Sequence, residues 1–149
     1  MRPVGAGRVV LRAAVLAGSL SGLPSTAWTL ARRGDLLAST RAAGTLLLPA
    51  TAGPGRLLVA GGLAHGALSL GWSAALVCGL PRRRAVPAGA LAGLGIAALD
   101  LRLARRLAPA VADLPTMPQV ADHIAFGALV GWVRGRAASA PSRPGAWSG

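Results

Sequence analysis

The sequence has few of the residues that build a charged, water-exposed surface. It contains no lysine, glutamate, asparagine or tyrosine, and 13% of its residues are charged, against roughly 25% in an ordinary soluble domain. Its single cysteine, Cys78, cannot form an intramolecular disulfide, so it indicates no redox compartment. These absences exclude an intramolecular disulfide framework and disfavour a soluble fold.

The short motifs of soluble enzymes are also missing. The sequence has no phosphate-binding glycine loop, no paired-cysteine motif, no HExxH run and no nucleophile elbow. None of its serines has a recognisable base partner along the chain. We therefore predict that the protein is not an enzyme and has no catalytic residues and no cofactor.

What the sequence does contain is apolar and arginine-rich. Its 149 residues suffice for one domain, and the mean hydropathy is +0.55. All 16 basic residues are arginine, which gives a net charge of +12, although the bias toward Ala, Gly, Pro and Arg is that of a GC-rich coding sequence. The arginines lie between apolar runs, which disfavours nucleic acid as a partner and favours the headgroups of a lipid bilayer.

The clearest membrane span covers residues 57–80. This uncharged run (His65 taken as neutral) is about 36 Å long as a helix, and a hydrocarbon core is about 30 Å thick. Thr51 to Arg56 precede it and Pro81 to Arg84 follow it, so helix breakers and positive charge bound both ends.

A first span is predicted over residues 13–30. Pro24 should kink or fray its last turns, and Trp28 sits where an interfacial anchor belongs. A cleaved signal peptide is the alternative, because arginines precede a short apolar stretch and residues 25–27 could form a cleavage site.

The remaining elements complete an all-α transmembrane helical bundle of about four spans plus one short interfacial helix. We predict the short helix over residues 36–48 and further spans over 85–103 and 118–133, separated by a loop over 107–117. Residues 1–136 would form a single membrane-embedded domain, and residues 137–149, rich in Ala, Ser, Pro and Gly, a disordered tail.

Arginine counts on the two sides of such a bundle lean toward both termini inside a bacterial inner membrane. The side of the termini carries Arg2, Arg8, Arg12, Arg82, Arg83, Arg84, Arg134, Arg136 and Arg143. The other side carries Arg32, Arg33, Arg41, Arg56, Arg102, Arg105 and Arg106.

Glycines recur four residues apart in every predicted span. Such pairs let helix backbones approach closely within a membrane. The pairs are Gly18 and Gly22, Gly62 and Gly66, Gly89 and Gly93, and Gly127 and Gly131. They predict helix packing within the chain or, alternatively, contact between copies in a homo-oligomer.

Four titratable residues fall within the predicted spans, namely His65, Asp100, Asp122 and His123. Helical spacing places His65, Asp100 and His123 on the glycine faces of their helices, and four antiparallel spans bring all four residues to one leaflet, with Pro24, Ser25, Thr26 and Trp28. They could form an ordinary interfacial polar layer, a proton or solute path, or a metal site. No spacing motif supports a metal, and we predict none.

The stretch LPTMPQVADHIAFG, residues 114–127, sets Asp122 and His123 at the start of a glycine-rich last helix. In this feature, and in its layout over residues 13–134, the chain resembles uncharacterised small four-span integral membrane proteins of GC-rich bacteria. The resemblance implies a membrane location and a helical bundle, and it implies no activity.

Two functions remain as hypotheses. The first is a multi-pass membrane protein with a non-enzymatic helix-packing or oligomeric role. The second is a small transporter or channel subunit that uses the polar intramembrane layer. A third reading, an intramembrane enzyme, has the least support. A fourth, an accidental GC-rich reading frame, is disfavoured by the arginine-bounded span at residues 57–80.

Overall fold

A computed structural model describes residues 3–139 and the side chains of residues 5–137. The described residues form seven helices and no strand, so the predicted all-α fold is confirmed. The helices are α1 (Pro3–Leu20), α2 (Leu23–Ala31), α3 (Ala38–Gly44), α4 (Pro54–Gly79), α5 (Ala85–Leu107), α6 (Pro109–Ala112) and α7 (Thr116–Ser139).

Three helical segments are long and apolar enough to cross a membrane. They are Gly5–Ala31, which combines α1 and α2, together with Pro54–Gly79 and Ala85–Leu107. These segments contain the predicted spans 13–30, 57–80 (to within one residue) and 85–103. Helix α7 has 24 residues but is less apolar, and it is not among the three.

Local sequence signals explain where the long helices begin and end. Helix α4 has Pro54 in its first turn, where the absent N–H costs nothing, and it stops just before Pro81. Helix α5 begins after Arg84, which adopts the left-handed conformation, and it ends before Pro109. Because proline cannot continue an α-helix, both chain reversals are set by sequence.

The short elements differ from the prediction. The helix expected over 36–48 is the seven-residue α3, Ala38–Gly44, followed by turns. The region read as a loop contains the single-turn helix α6, Pro109–Ala112, because Pro109 is favoured at a first helical position. Helix α7 continues through residues 137–139, and the rest of the predicted tail, residues 140–149, lies outside the described residues.

Helices α5 and α7 form the most extensive contact and run antiparallel. A Cβ atom added at Gly89 would collide with the carbonyl of Gly127, and one added at Gly93 would collide with the carbonyl of His123. Gly131 meets the carbonyl of Ala85 in the same way. These glycines therefore bring the two backbones into direct contact, as small residues allow. We call this contact the glycine seam.

The other predicted glycine pairs behave differently. Gly18 faces Ser69 of α4, but Cβ positions at Gly22, Gly62 and Gly66 have no neighbouring atom within 4 Å. These three glycines therefore do not make a close backbone approach to any helix among the described residues. On α4 the neighbouring Gly61 makes the close approach, against the carbonyl of Thr40, because the helix is rotated by one residue from the face that the Gly62–Gly66 spacing indicated.

Many large apolar side chains lie on the outer surface of the bundle. Small residues such as Ala13, Ala17 and Ser73 are fully buried, whereas Leu91 and Leu63 are 72% and 65% exposed. The core joins α1, α4, α5 and α7 through Ala13, Ala17, Leu76, Val77, Leu80, Ile96, Phe126, Val130 and Val133. A protein in water buries its large apolar residues first, so this outer surface suits an apolar solvent.

Candidate functional site

The first span is broken between α1 and α2. Pro24 has no N–H to donate to the carbonyl of Leu20, and its ring clashes with that carbonyl in a continuous helix. Helix α1 accordingly ends at Leu20 and α2 begins at Leu23. The break frees carbonyl groups at the end of α1 and N–H groups at the start of α2, and these groups need partners away from water.

His65 of α4 binds one of the freed carbonyls. Its Nε2 lies 2.8 Å from the carbonyl oxygen of Gly18, and because a carbonyl only accepts, Nε2 carries the hydrogen and donates. Gly18 allows this approach, since a Cβ at that position would lie 3.0 Å from Oγ of Ser69. The imidazole therefore caps the carboxyl end of α1.

Asp122 of α7 binds the other side of the break. The backbone N–H of Ser25, in the first turn of α2, donates to Oδ1 of Asp122 across 2.9 Å. A carboxylate at this position satisfies a free N–H group and also complements the positive end of the helix dipole. Two titratable side chains from two other helices therefore hold the broken ends.

A second polar group lies between α4, α5 and α7. The indole N–H of Trp72 donates to Oδ2 of Asp100 across 2.9 Å, and Nε2 of His123 lies 3.7 Å from the same oxygen. The other ring nitrogen of His123, Nδ1, donates to the carbonyl of Gln119 at 2.7 Å. Because Nδ1 holds a hydrogen, a neutral His123 turns an unprotonated Nε2 toward Asp100.

The contact between His123 and Asp100 depends on whether Nε2 carries a hydrogen. Without one, a ring lone pair faces a carboxylate, and both are acceptors. At 3.7 Å the two atoms are farther apart than in a hydrogen bond. A hydrogen on Nε2 would point a donor toward the carboxylate, so the two side chains are candidates for binding a proton together.

Both polar groups face one cavity of about 230 Å³. Helix α3 and the α6 region also contribute to its wall. The polar and titratable residues around it are Ser21, Ser25, Ser39, His65, Ser69, Trp72, Asp100, Gln119, Asp122 and His123. All four titratable residues singled out from sequence thus lie around the same space, and none of the described arginines lines it.

Sequence reasoning missed two parts of this site. Trp72 lies seven residues after His65 on α4, a spacing that puts both on one helix face, and that spacing could have pointed to it. The capping role of Asp122 had no signal in the sequence, because the Ser25 N–H that it binds is 97 residues away. Pro24 did predict the break itself.

Metal chemistry has no support in this geometry. Among the described residues, no group of three or more His, Cys, Asp or Glu side chains is arranged to hold a metal ion. The lone Cys78 is exposed and lies outside the cavity. The site thus offers hydrogen-bond donors and acceptors, two carboxylates and two imidazoles in an otherwise apolar wall.

No family model, curated protein or solved structure matches the chain.

Proposed function

We propose that the chain is a multi-pass protein of the bacterial inner membrane with four spans, the broken α1–α2 segment, α4, α5 and α7. Helix α7 runs antiparallel to α5, and its 24 residues extend about 36 Å, longer than a hydrocarbon core of about 30 Å. Trp–Arg pairs support this assignment. Trp28 stacks with Arg32 after the first span, and Trp132 stacks with Arg136 at the end of α7.

The lower hydropathy of α7 has a physical explanation in this arrangement. Helix α7 contacts α1, α2, α4 and α5, and no residue from 118 to 131 is exposed. A span that is enclosed by other helices does not need an apolar face for lipid. It can therefore carry Asp122 and His123, since intramembrane charged groups face the bundle interior or a cavity.

Within this membrane protein, the polar cavity acts as a proton or small-solute path, which makes the chain a small transporter or channel subunit rather than an enzyme. The observation that carries the proposal is the broken helix whose two free ends are held by His65 and Asp122 beside the cavity. Non-helical backbone at membrane depth is tolerated where it is buried in protein or lines a cavity, and transporters use it to form binding sites.

The His123–Asp100 pair provides the proton binding and release that the proposed path requires. A proton leaving this pair changes the charge of the cavity wall by one unit in a region of low dielectric, where such a change is strongly felt. Binding of a polar solute and loss of the proton can therefore be coupled through Asp100, whose Oδ2 is already held by Trp72.

Reconstitution into liposomes that contain a pH-sensitive dye tests this function. The protein should raise proton flux under an imposed gradient above that of empty liposomes, and Asp100→Asn and His123→Gln should each lower it at least tenfold. Asp113→Asn is the matched control, because Asp113 is an exposed carboxylate outside the cavity. A flux equal to that of empty liposomes, or equal in all variants, would contradict the proposed path.

A specific observation also favours an oligomeric, non-enzymatic role as a second candidate. Gly62 and Gly66 face outward with open space, and the neighbouring Val59 and Leu63 are 66% and 65% exposed. Such a face suits close contact with a second copy in the membrane, whereas Gly127 is already covered by α5. Native mass spectrometry in mild detergent should show a dimer or larger species that Gly66→Leu reduces, and a monomer throughout would rule this role out.

A further inference from the structure

Charge is divided unevenly between the two ends of the bundle. All four acids, Asp35, Asp100, Asp113 and Asp122, lie in the half that contains the end of α2, the end of α5 and the start of α7. We call the opposite end the acid-free end. Its described arginines are Arg8, Arg12, Arg82, Arg83, Arg84, Arg134 and Arg136.

The arginines of the acid-free end find little negative charge in the protein. For residues 5–137, the arginine–carboxylate ion pair that forms is Arg41 with Asp35, at the other end. Nε of Arg134 donates to the carbonyl of Leu80 across 2.8 Å, where it complements the carboxyl end of α4. Arg82, Arg83 and Arg84 are exposed, and within residues 5–137 no carboxylate pairs with them.

A groove at this end concentrates the charge. It has a volume of about 530 Å³ and lies between the start of α5 and the end of α7. Arg82, Arg84 and Arg136 line it together with Trp132 and Val86. The planar guanidinium groups match the oxygens of a phosphate in a bidentate manner.

The apolar part of the groove identifies the source of that phosphate. Trp132 is 38% exposed and carries Arg136 over its ring at 4.3 Å, as interfacial anchors do. Val86 is 43% exposed beside it. A ligand with a phosphate and a hydrocarbon chain would satisfy both surfaces at once, which neither free phosphate nor a nucleic acid backbone does.

We propose that this groove binds the phosphodiester of an anionic phospholipid and that the acid-free end lies in the cytoplasmic leaflet. The inference rests on the proposed membrane location but not on the proposed transport. The anionic surface of the cytoplasmic leaflet attracts nearby arginines. Several arginines around one groove would therefore hold a lipid in place rather than leave it to exchange freely.

Native mass spectrometry of the detergent-purified chain, titrated with phosphatidylglycerol or phosphatidylcholine, tests the groove. The wild-type chain should bind phosphatidylglycerol at least tenfold more tightly than phosphatidylcholine. Combined Arg82→Gln, Arg84→Gln and Arg136→Gln should remove that preference. The matched control, Arg102→Gln with Arg105→Gln and Arg106→Gln, removes the same charge from the other end and should keep it.

Several results would overturn the proposal. Equal binding of the two lipids by the wild-type chain does so without any variant, even if the groove variant fails to fold. An equal loss of the phosphatidylglycerol preference in both triple variants would show general attraction between charges and no specific binding in the groove. Displacement of the lipid by millimolar inorganic phosphate would identify a free-phosphate site instead. This experiment measures lipid binding and not proton flux, so its failure and the failure of the proposed transport can be distinguished.

Discussion

Helices α5 and α7 contact each other in two ways along their length, and the two regions contrast sharply. At the glycine seam the backbones touch, with Gly89 against Gly127 and Gly131 against Ala85. Seven residues beyond Gly93, about 10 Å along the helix, Asp100 faces His123 at the edge of a cavity. Along this one pair of helices, the two backbones touch at one end, and polar side chains border a cavity at the other.

We assign stability mainly to the glycine seam and function to the polar cavity. Close packing of glycine-rich backbones drives helix association in a membrane, where water exclusion does not contribute. Buried polar groups around a cavity are costly unless they are fully paired. We expect packing at the glycine seam to offset the unfavourable free energy of burying polar groups around the cavity. Variants at the two ends should therefore change the free energy of unfolding by different amounts.

The largest effect is expected at the seam. Gly127→Leu places a side chain against the backbone of Gly89 and Gly93 and should lower the free energy of unfolding by about 3 kcal/mol or more. Gly95→Leu is the control, because its Cβ position on α5 is open, and it should leave stability within about 0.5 kcal/mol. Unfolding in mixed micelles measures both, and similar losses would mean that the seam does not hold the bundle.

The next effect concerns the broken helix. Asp122→Ala removes the acceptor for the Ser25 N–H and should cost about 1–2 kcal/mol, as loss of a helix cap does. Asp113→Ala, at an exposed carboxylate, should cost less than about 0.5 kcal/mol. The same unfolding assay compares them, and an unchanged Asp122→Ala protein would remove Asp122 from its capping role.

A smaller effect is expected for the indole that holds Asp100. Trp72→Phe keeps most of the ring but removes the hydrogen bond to Oδ2 of Asp100, which should cost about 1 kcal/mol. Trp28→Phe, at a 41% exposed ring, is the matched control. The infrared carboxyl band of Asp100 should shift in the first variant, and no difference between the two would contradict the role of Trp72.

The smallest effect lies outside the spans, at Asp35. Arg41 donates a hydrogen bond to its carboxylate, as does the N–H of Leu37, and both hold the pKa of Asp35 below its ordinary value. A lowered pKa means that the pair stabilises the fold above the unfolded pKa and that this contribution disappears as the pH falls through the folded pKa. An NMR titration should show the pKa of Asp35 rising in Arg41→Gln, and an unchanged pKa would exclude the pairing.

The two regions also differ in how far the sequence predicts them. Residue spacing indicated that small residues four apart pack closely, but it left open whether their partner is another helix of this chain or a second copy. It also predicted that His65, Asp100, Asp122 and His123 share one leaflet, and the structure places all four around one cavity. It did not show which glycines of α4 pack within the chain, since composition alone supplies many glycine pairs and does not fix the rotation of α4.

The hydrogen bonds of the cavity could not be predicted. Pro24 indicates a break, but which side chains satisfy the freed groups depends on how α4 and α7 are oriented around it. The bonds from His65 to Gly18 and from Ser25 to Asp122 cross 47 and 97 residues. Contacts of that separation follow from tertiary packing, for which a single sequence has no local signal.

The four-span arrangement is the central claim, and cysteine labelling in intact cells tests it most directly. With Cys78→Ser as background, Gly5→Cys and Ala137→Cys should be protected from a membrane-impermeant maleimide until the cells are opened. Ala52→Cys and Asp113→Cys should react from outside. Labelling of Gly5→Cys and Ala137→Cys from opposite sides would leave α7 outside the membrane and contradict the account.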